Sequence, residues 1–208
     1  MSKKIIGLTL FILTLTLSGC RLMNKNSSHP SSVQEKLMNM QGYACVAKIA
    51  YIEGESLNTY EAKQVYQMNG YYRFEIMKPK HIEGLTTIYN GEKVIQYNPQ
   101  VENPKAVELP TNNFRNQIFL GTFVQNYLQS EEVAMAVNKT EGEVTTMLEA
   151  VIPGGSKHMS TQRLWIDQKT YKPVRMAIYD QGKKETVTIE FTEFTYNPKI
   201  DESVFIID

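Results

Sequence analysis

An excess of charge of either sign is missing: 22 Lys and Arg stand against 22 Asp and Glu. A nucleic-acid binder needs a clear basic surplus, so that class is excluded. The first 19 residues hold only Lys3 and Lys4 as charges, which leaves 20 basic against 22 acidic residues beyond them. That mild acidity would not draw the chain to an anionic bilayer. Cysteine is scarce, and two residues cannot make a disulfide framework. Histidine is limited to His29, His81 and His158, none with a second His within five residues. A zinc site draws three or four ligands at close spacing, so no metal ligand is assigned. There is no G-x-S-x-G elbow for a Ser/His/Asp triad. Pro153-Gly154-Gly155-Ser156 precedes a strand pattern, not the helix that a phosphate loop requires. The sequence therefore predicts no catalytic residue, no metal and no cofactor.

What is present begins at the N-terminus. Lys3 and Lys4 lead into a 13-residue uncharged apolar run, Ile5 to Leu17. A bilayer span takes about 20 residues, so this run fits the core of a signal peptide instead. Leu17-Ser18-Gly19-Cys20 follows directly, and small residues before a cysteine at this place match the bacterial lipobox. The expectation is cleavage before Cys20 and lipidation of its sulfur. Three segments follow: residues 1–19 as a lipoprotein signal peptide, 20–32 as a lipid-anchored polar tether, and 33–208 as one domain. Lipidation of Cys20 leaves Cys45 alone. It stands in an apolar alternation, with the nearest basic residue, Lys48, on the opposite strand face, and reads as a small buried hydrophobe.

Beyond the tether, Ser32-Val33-Gln34-Glu35 fits a capping box, and Val33, Leu37 and Met40 share a helical face. From Gly42 the period changes to two. Tyr43-Cys45-Ala47-Ile49-Tyr51 forms one apolar face of a long strand. Asn69-Gly70 and Asn90-Gly91 are hairpin turns in a meander of consecutive antiparallel strands. Residues 99–112, with three prolines, are expected to be irregular. Phe114 to Gln129 is a second helix, capped by Asn112 or Asn113 and kinked or broken at Gly121. Strands return at 133–138, 143–152, 163–167, 174–178 and 186–196. In the last, Val187, Ile189 and Phe191 share a face, Glu193 breaks the phase and Phe194 restarts it, so a bulge is predicted there. The buried face should include Ile49, Phe74, Ile178 and Ile189. The fold class is mainly β: one long antiparallel sheet curling around two helices, since so many strands exceed what a flat open sheet sustains. The strands near 43–52 and 186–196 are the candidates for an open edge. Tyr60, Tyr66, Tyr72 and Phe74 form an aromatic stripe that serves either as core beneath the helices or as a concave wall for acyl chains or a protein partner.

The stretch Arg163 to Met176, with Trp165-Ile166-Asp167 and Lys172-Pro173-Val174, is the first recognisable one. It continues through Ile178 to Gly182 and Phe191 to Tyr196, then Asn197 to Phe205. Tyr72 to Glu75 and Ile88 to Val94 agree with it. Together these resemble the lipoprotein-carrier (LolA/LolB-like) superfamily, which implies an incomplete β-barrel with helices packed in its mouth. The lipobox, length and Lys/Asn/Ile/Tyr-rich composition are most similar to the clostridial germination lipoproteins of the GerS type. That resemblance implies a non-catalytic spore lipoprotein, extracytoplasmic and anchored in the membrane, that assists a cortex peptidoglycan amidase of the CwlD type. Independently of the resemblance, an open sheet edge can pair with a partner or with a second copy of the chain, which allows a homodimer. The alternative is a lipid or lipoprotein carrier or acceptor that uses the half-barrel cavity.

Overall fold

The computed structural model describes residues 32–111, 116–130, 133–140 and 143–207. Cys20, His29 and the Asn112/Asn113 cap lie outside the described residues. Helix α1, Ser32–Met38, precedes the meander β1 (Gly42–Glu53), β2 (Ser56–Gln67), β3 (Tyr72–Lys78), β4 (Thr86–Tyr89), β5 (Val94–Tyr97) and β6 (Val107–Leu109). A short 3-10 turn, Asn116–Ile118, leads into helix α2, Leu120–Gln129. A second meander follows: β7 (Val133–Thr140), β8 (Glu143–Ser156), β9 (Met159–Asp167), β10 (Pro173–Tyr179) and β11 (Glu185–Tyr196).

All eleven strands form one antiparallel sheet in the order β6-β5-β4-β3-β2-β1-β11-β10-β9-β8-β7. The first meander runs outward from β1 and the second inward to β11, so the first and last strands of the sheet meet at its centre. Tyr43 stands opposite Tyr196, and Ile49 opposite Ile189. This overturns the expectation that 43–52 or 186–196 is an open edge; among the described residues the outermost strands are β6 and β7. Period-two patterning reports which face a residue takes but not which strand is its neighbour.

The sheet is open but curved, and α2 requires the curvature. The ring of Phe119, at the N-cap of α2, lies 4.7 Å from Tyr72 and 6.1 Å from Phe74 on β3. The helix itself rests on β8. Strands β3 and β8 stand six ladder steps apart, roughly 29 Å on a flat sheet at 4.7–4.9 Å per step. A helix is only about 10–12 Å across. Both wings can touch it only if the sheet curls around it. Its concave face carries the core, in which Ile49, Ile178 and Ile189 are almost fully buried and Phe74 nearly so.

The Glu193 bulge is present. Ala44 pairs with Thr195 but Val46 with Thr192, so Cys45 alone faces Glu193 and Phe194. Glu193 takes a left-handed φ of 50°, and the slip buries both Phe191 and Phe194. Three local expectations are corrected. Residues 99–112 include the strand β6, whose three residues are too short an alternation to read. Strand β8 runs on through Pro153, Gly154 and Gly155 to Ser156, with a register shift absorbing them. The helical segment breaks at Phe119, not at Gly121.

Candidate functional site

The inward row of β2 reads Ala62, Gln64, Tyr66, and that of β9 reads Gln162, Leu164, Ile166. Gln64 and Gln162 are polar side chains with no solvent exposure. A buried amide is tolerable only when bonded, and both are bonded to the helical segment. Gln64 accepts from the Tyr43 hydroxyl at 2.9 Å and donates to the Ile118 carbonyl at 3.5 Å. Gln162 donates to the Gln117 carbonyl at 2.8 Å and accepts from Asn126 at 3.0 Å. The first amide of α2, Leu120 N–H, donates to the Tyr43 hydroxyl at 3.1 Å. A helix start leaves such amides without intrahelical partners, and here a strand residue supplies the cap. Residues 116–129 are thus latched to both wings of the sheet by buried hydrogen bonds.

Around that latch the predicted aromatic stripe divides. Tyr66, Tyr72 and Phe74 are buried and gather on Phe119, with Tyr66 at 5.5 Å from its ring. Tyr66 also stacks on Tyr43 at 5.7 Å, and Tyr43 on Phe194 at 5.4 Å. Burial pushes the phenol pKa of Tyr43, Tyr66 and Tyr72 upward, so all three stay neutral donors. Tyr60 does not join them. It meets Tyr51 edge-on at 5.9 Å, away from the helix. Gly121 lies against Tyr66: a Cβ there would come 2.0 Å from Cε1 of that ring. Its role is close approach of helix to sheet. Cys45 is buried, and burial pushes its thiol upward, the state of an inert hydrophobe.

The convex face is built from charge. Lys78, Glu61, Lys48, Glu190, Arg175 and Trp165 occupy successive strands in register, alternating in sign up to the indole. Lys78 Nζ donates to Glu61 at 2.8 Å, and the Arg175 guanidinium lies 4.7 Å over Trp165. Arg175 and Tyr179 both donate to Glu185, at 2.7 and 2.8 Å. Burial opposes ionisation of Glu185, yet these two bonds hold its pKa below the ordinary value. Arg163 bonds Glu149 and covers Tyr179 at 4.5 Å. A groove of about 650 Å³ over this face is lined by Lys48, Tyr60, Glu61, Lys78 and Lys80. At the sheet end formed by the β1–β2, β8–β9 and β10–β11 turns, a cavity of about 530 Å³ is lined by Tyr51, Glu53, His158, Met159 and Val187.

His81 and His158 are both exposed, on separate turns. No group of three or more His, Cys, Asp or Glu that could hold a metal occurs among the described residues. Sequence reasoning missed Gln64, Gln162 and Asn126. The signal was available for the two glutamines, since each stands at an inward position of an apolar row.

A curled open antiparallel sheet with a helix latched in its concave face defines the class: a mainly β half-barrel scaffold. The chain belongs to the YdcC-like sporulation protein family, whose model matches residues 2–205. It is 21% identical over 201 residues to sporulation protein YdcC of Bacillus subtilis, covering 95% of this chain. It spans 58% of the length of that curated relative. Among solved structures it is 31% identical to a chain in the structure of the CwlD amidase from Clostridioides difficile in complex with the GerS lipoprotein. That match covers 84% of this chain and all of the other, with a TM-score of 0.49. A LolA superfamily protein from Nitrosomonas europaea is 12% identical, covering 85% of this chain and 96% of its own, with a TM-score of 0.48.

Proposed function

We propose that this chain is a lipid-anchored, non-catalytic binding protein that supports an extracytoplasmic cortex peptidoglycan amidase during sporulation or germination. In this reading residues 1–19 direct export, Cys20 carries the acyl anchor, 20–32 form the tether, and 33–208 are the binding domain. The observation that carries the choice of binder over carrier is the occupied concave face. Tyr66, Tyr72 and Phe74, the stripe that would line an acyl site, already hold Phe119, and buried amides latch the helix over them. What remains accessible is the charged outer face and the sheet edges. Sporulation-family membership and the 31% sequence identity to a chain of the amidase complex support the amidase as partner. An open edge also allows pairing with a second copy of the chain.

The test is amidase activity with and without the purified full chain. Activity that rises with the chain, and that survives His81→Ala with His158→Ala, supports the reading. An amidase that works equally well alone, together with stoichiometric lipid retained by the chain after detergent exchange, replaces it with the half-barrel carrier. Cys20→Ala should abolish acyl labelling and release the protein from membranes; unchanged membrane association removes the anchor. Tethering raises local concentration without forming the interface, so amidase support should fall only in part.

A further inference from the structure

We propose that the cavity at the sheet end formed by the β1–β2, β8–β9 and β10–β11 turns binds a short peptide with both termini free, its ammonium against Glu53 and its carboxylate against Lys184. The cavity holds about 530 Å³, inside the range of about 300–1,000 Å³ that small-ligand pockets span. Its walls come from segments of opposite charge. Strand β1 ends in Glu53, and the turn beyond it adds Glu55. The other two turns carry Lys157, Lys183 and Lys184, all exposed. Those two turns are fastened to each other. The Gln181 N–H donates to the Lys157 carbonyl at 3.0 Å, and the Thr186 hydroxyl donates to the His158 carbonyl at 2.9 Å. The lysines therefore belong to one joined wall.

The acids on that wall are committed elsewhere. Asp180 accepts the Lys184 N–H at 2.8 Å within its own turn, and Glu185 is held by Arg175 and Tyr179. Glu53 and Lys184 both line the cavity, yet neither enters an ion pair among the described residues. An acid and a base that share a cavity without meeting leave room for a molecule that carries both charges. Met159 and Val187 add an apolar part to the lining. Together these features select the ligand. A fatty acyl chain would cover Glu53 without giving it a partner, which costs free energy. A polyanion would be repelled by Glu53 and Glu55, and a polycation by the three lysines. A peptide with free ends brings an ammonium and a carboxylate, both ionised near pH 7, and side chains for Met159 and Val187. Hydrolysis of an amide that holds a peptide leaves that peptide with a free amine, so an amidase is a source of such molecules. That source rests on the proposed function; the site itself does not, and peptide binding is read without any amidase present.

The purified full chain is titrated calorimetrically with tri-alanine, beside N-acetyl-tri-alanine and tri-alanine amide. The expected result is saturable binding of tri-alanine that weakens about tenfold when either end is blocked. Glu53→Gln should bind tri-alanine and its acetylated form alike, and Lys184→Gln should bind tri-alanine and its amide alike. Each variant removes the group that reads one end. Lys78→Gln, on the convex face, should bind as wild type does. Equal binding of free and blocked peptides by wild type overturns the proposal, as do end preferences that survive in both variants. An absence of saturable binding at millimolar tri-alanine overturns it equally. Hexanoate that binds as tightly as tri-alanine overturns it in favour of an acyl site. Tri-alanine binding by a chain that gives no amidase support would uphold the site while removing the amidase as its source of peptide.

Discussion

Tyr43 shows how one side chain can be shared by strand, helix and core. Its ring stacks between Tyr66 and Phe194, while its hydroxyl caps α2 and bonds Gln64. Gly121 completes that arrangement, because any side chain there displaces the Tyr66 ring. Gly121→Ala should cost about 1–3 kcal/mol, the range of overpacking in a filled core. The cost should shrink in a Tyr66→Leu background, since contacting sites are non-additive. Chemical denaturation of the four variants checks this, and equal costs in both backgrounds would count against the contact. Glu185 provides a titratable counterpart. Its pKa in the folded protein lies below the ordinary value of 4.5 because Arg175 and Tyr179 stabilise its charge against the opposing effect of burial. A lowered carboxyl pKa contributes stability that is present above the unfolded value and is lost as pH falls through the folded one. Stability should therefore decline as pH drops below that ordinary value of 4.5, and Glu185→Gln should flatten that decline. Denaturant midpoints measured from neutral to acid pH decide it.

At the scale of elements, the bulge in β11 reconciles a phase error with a continuous core. Two residues of β11 oppose one of β1, and the extra residue takes a left-handed conformation at Glu193. That region disfavours residues with a Cβ by about 1–2 kcal/mol, most severely β-branched ones. Glu193→Gly should leave stability unchanged or raise it, and Glu193→Val should lower it by about 1–2 kcal/mol. Thermal melts compare the two; a Val variant as stable as wild type would mean that the bulge is absent. The helical segment is an element of another kind. At the N-cap of α2 Phe119 makes no side-chain cap bond, and strand residues Tyr43, Gln64 and Gln162 bond the segment instead, so its position depends on the sheet being formed.

For the molecule as a whole, the central pairing of β1 with β11 joins residues far apart in sequence, as in Val46 with Thr192, 146 positions away. Neither meander buries its inner face alone, so the centre closes only when both are present. Native-state hydrogen exchange of dilute protein should find the amides of β1, β10 and β11 the slowest and those of β6 and β7 the fastest. Edge strands as protected as the centre would contradict the sheet order. The β strands, their inward faces, the Asn-Gly hairpins and the Glu193 slip were legible in the sequence because they follow from the two-residue period and from local turn chemistry. The family resemblance was legible as well, carried by the segments around Trp165 and Phe191. Strand β6 was not, since three residues cannot establish a period. The role of Gly121 was not either, because the clash that forbids a side chain belongs to Tyr66, 55 positions earlier. The sequence by itself determined which face each strand residue takes, for that depends only on pleat alternation and burial. Which strands became neighbours, which edges stayed free and what fills the concave face were decided by the tertiary structure alone, because pairing and closure depend on contacts between segments whose local patterns are equally satisfied by several arrangements.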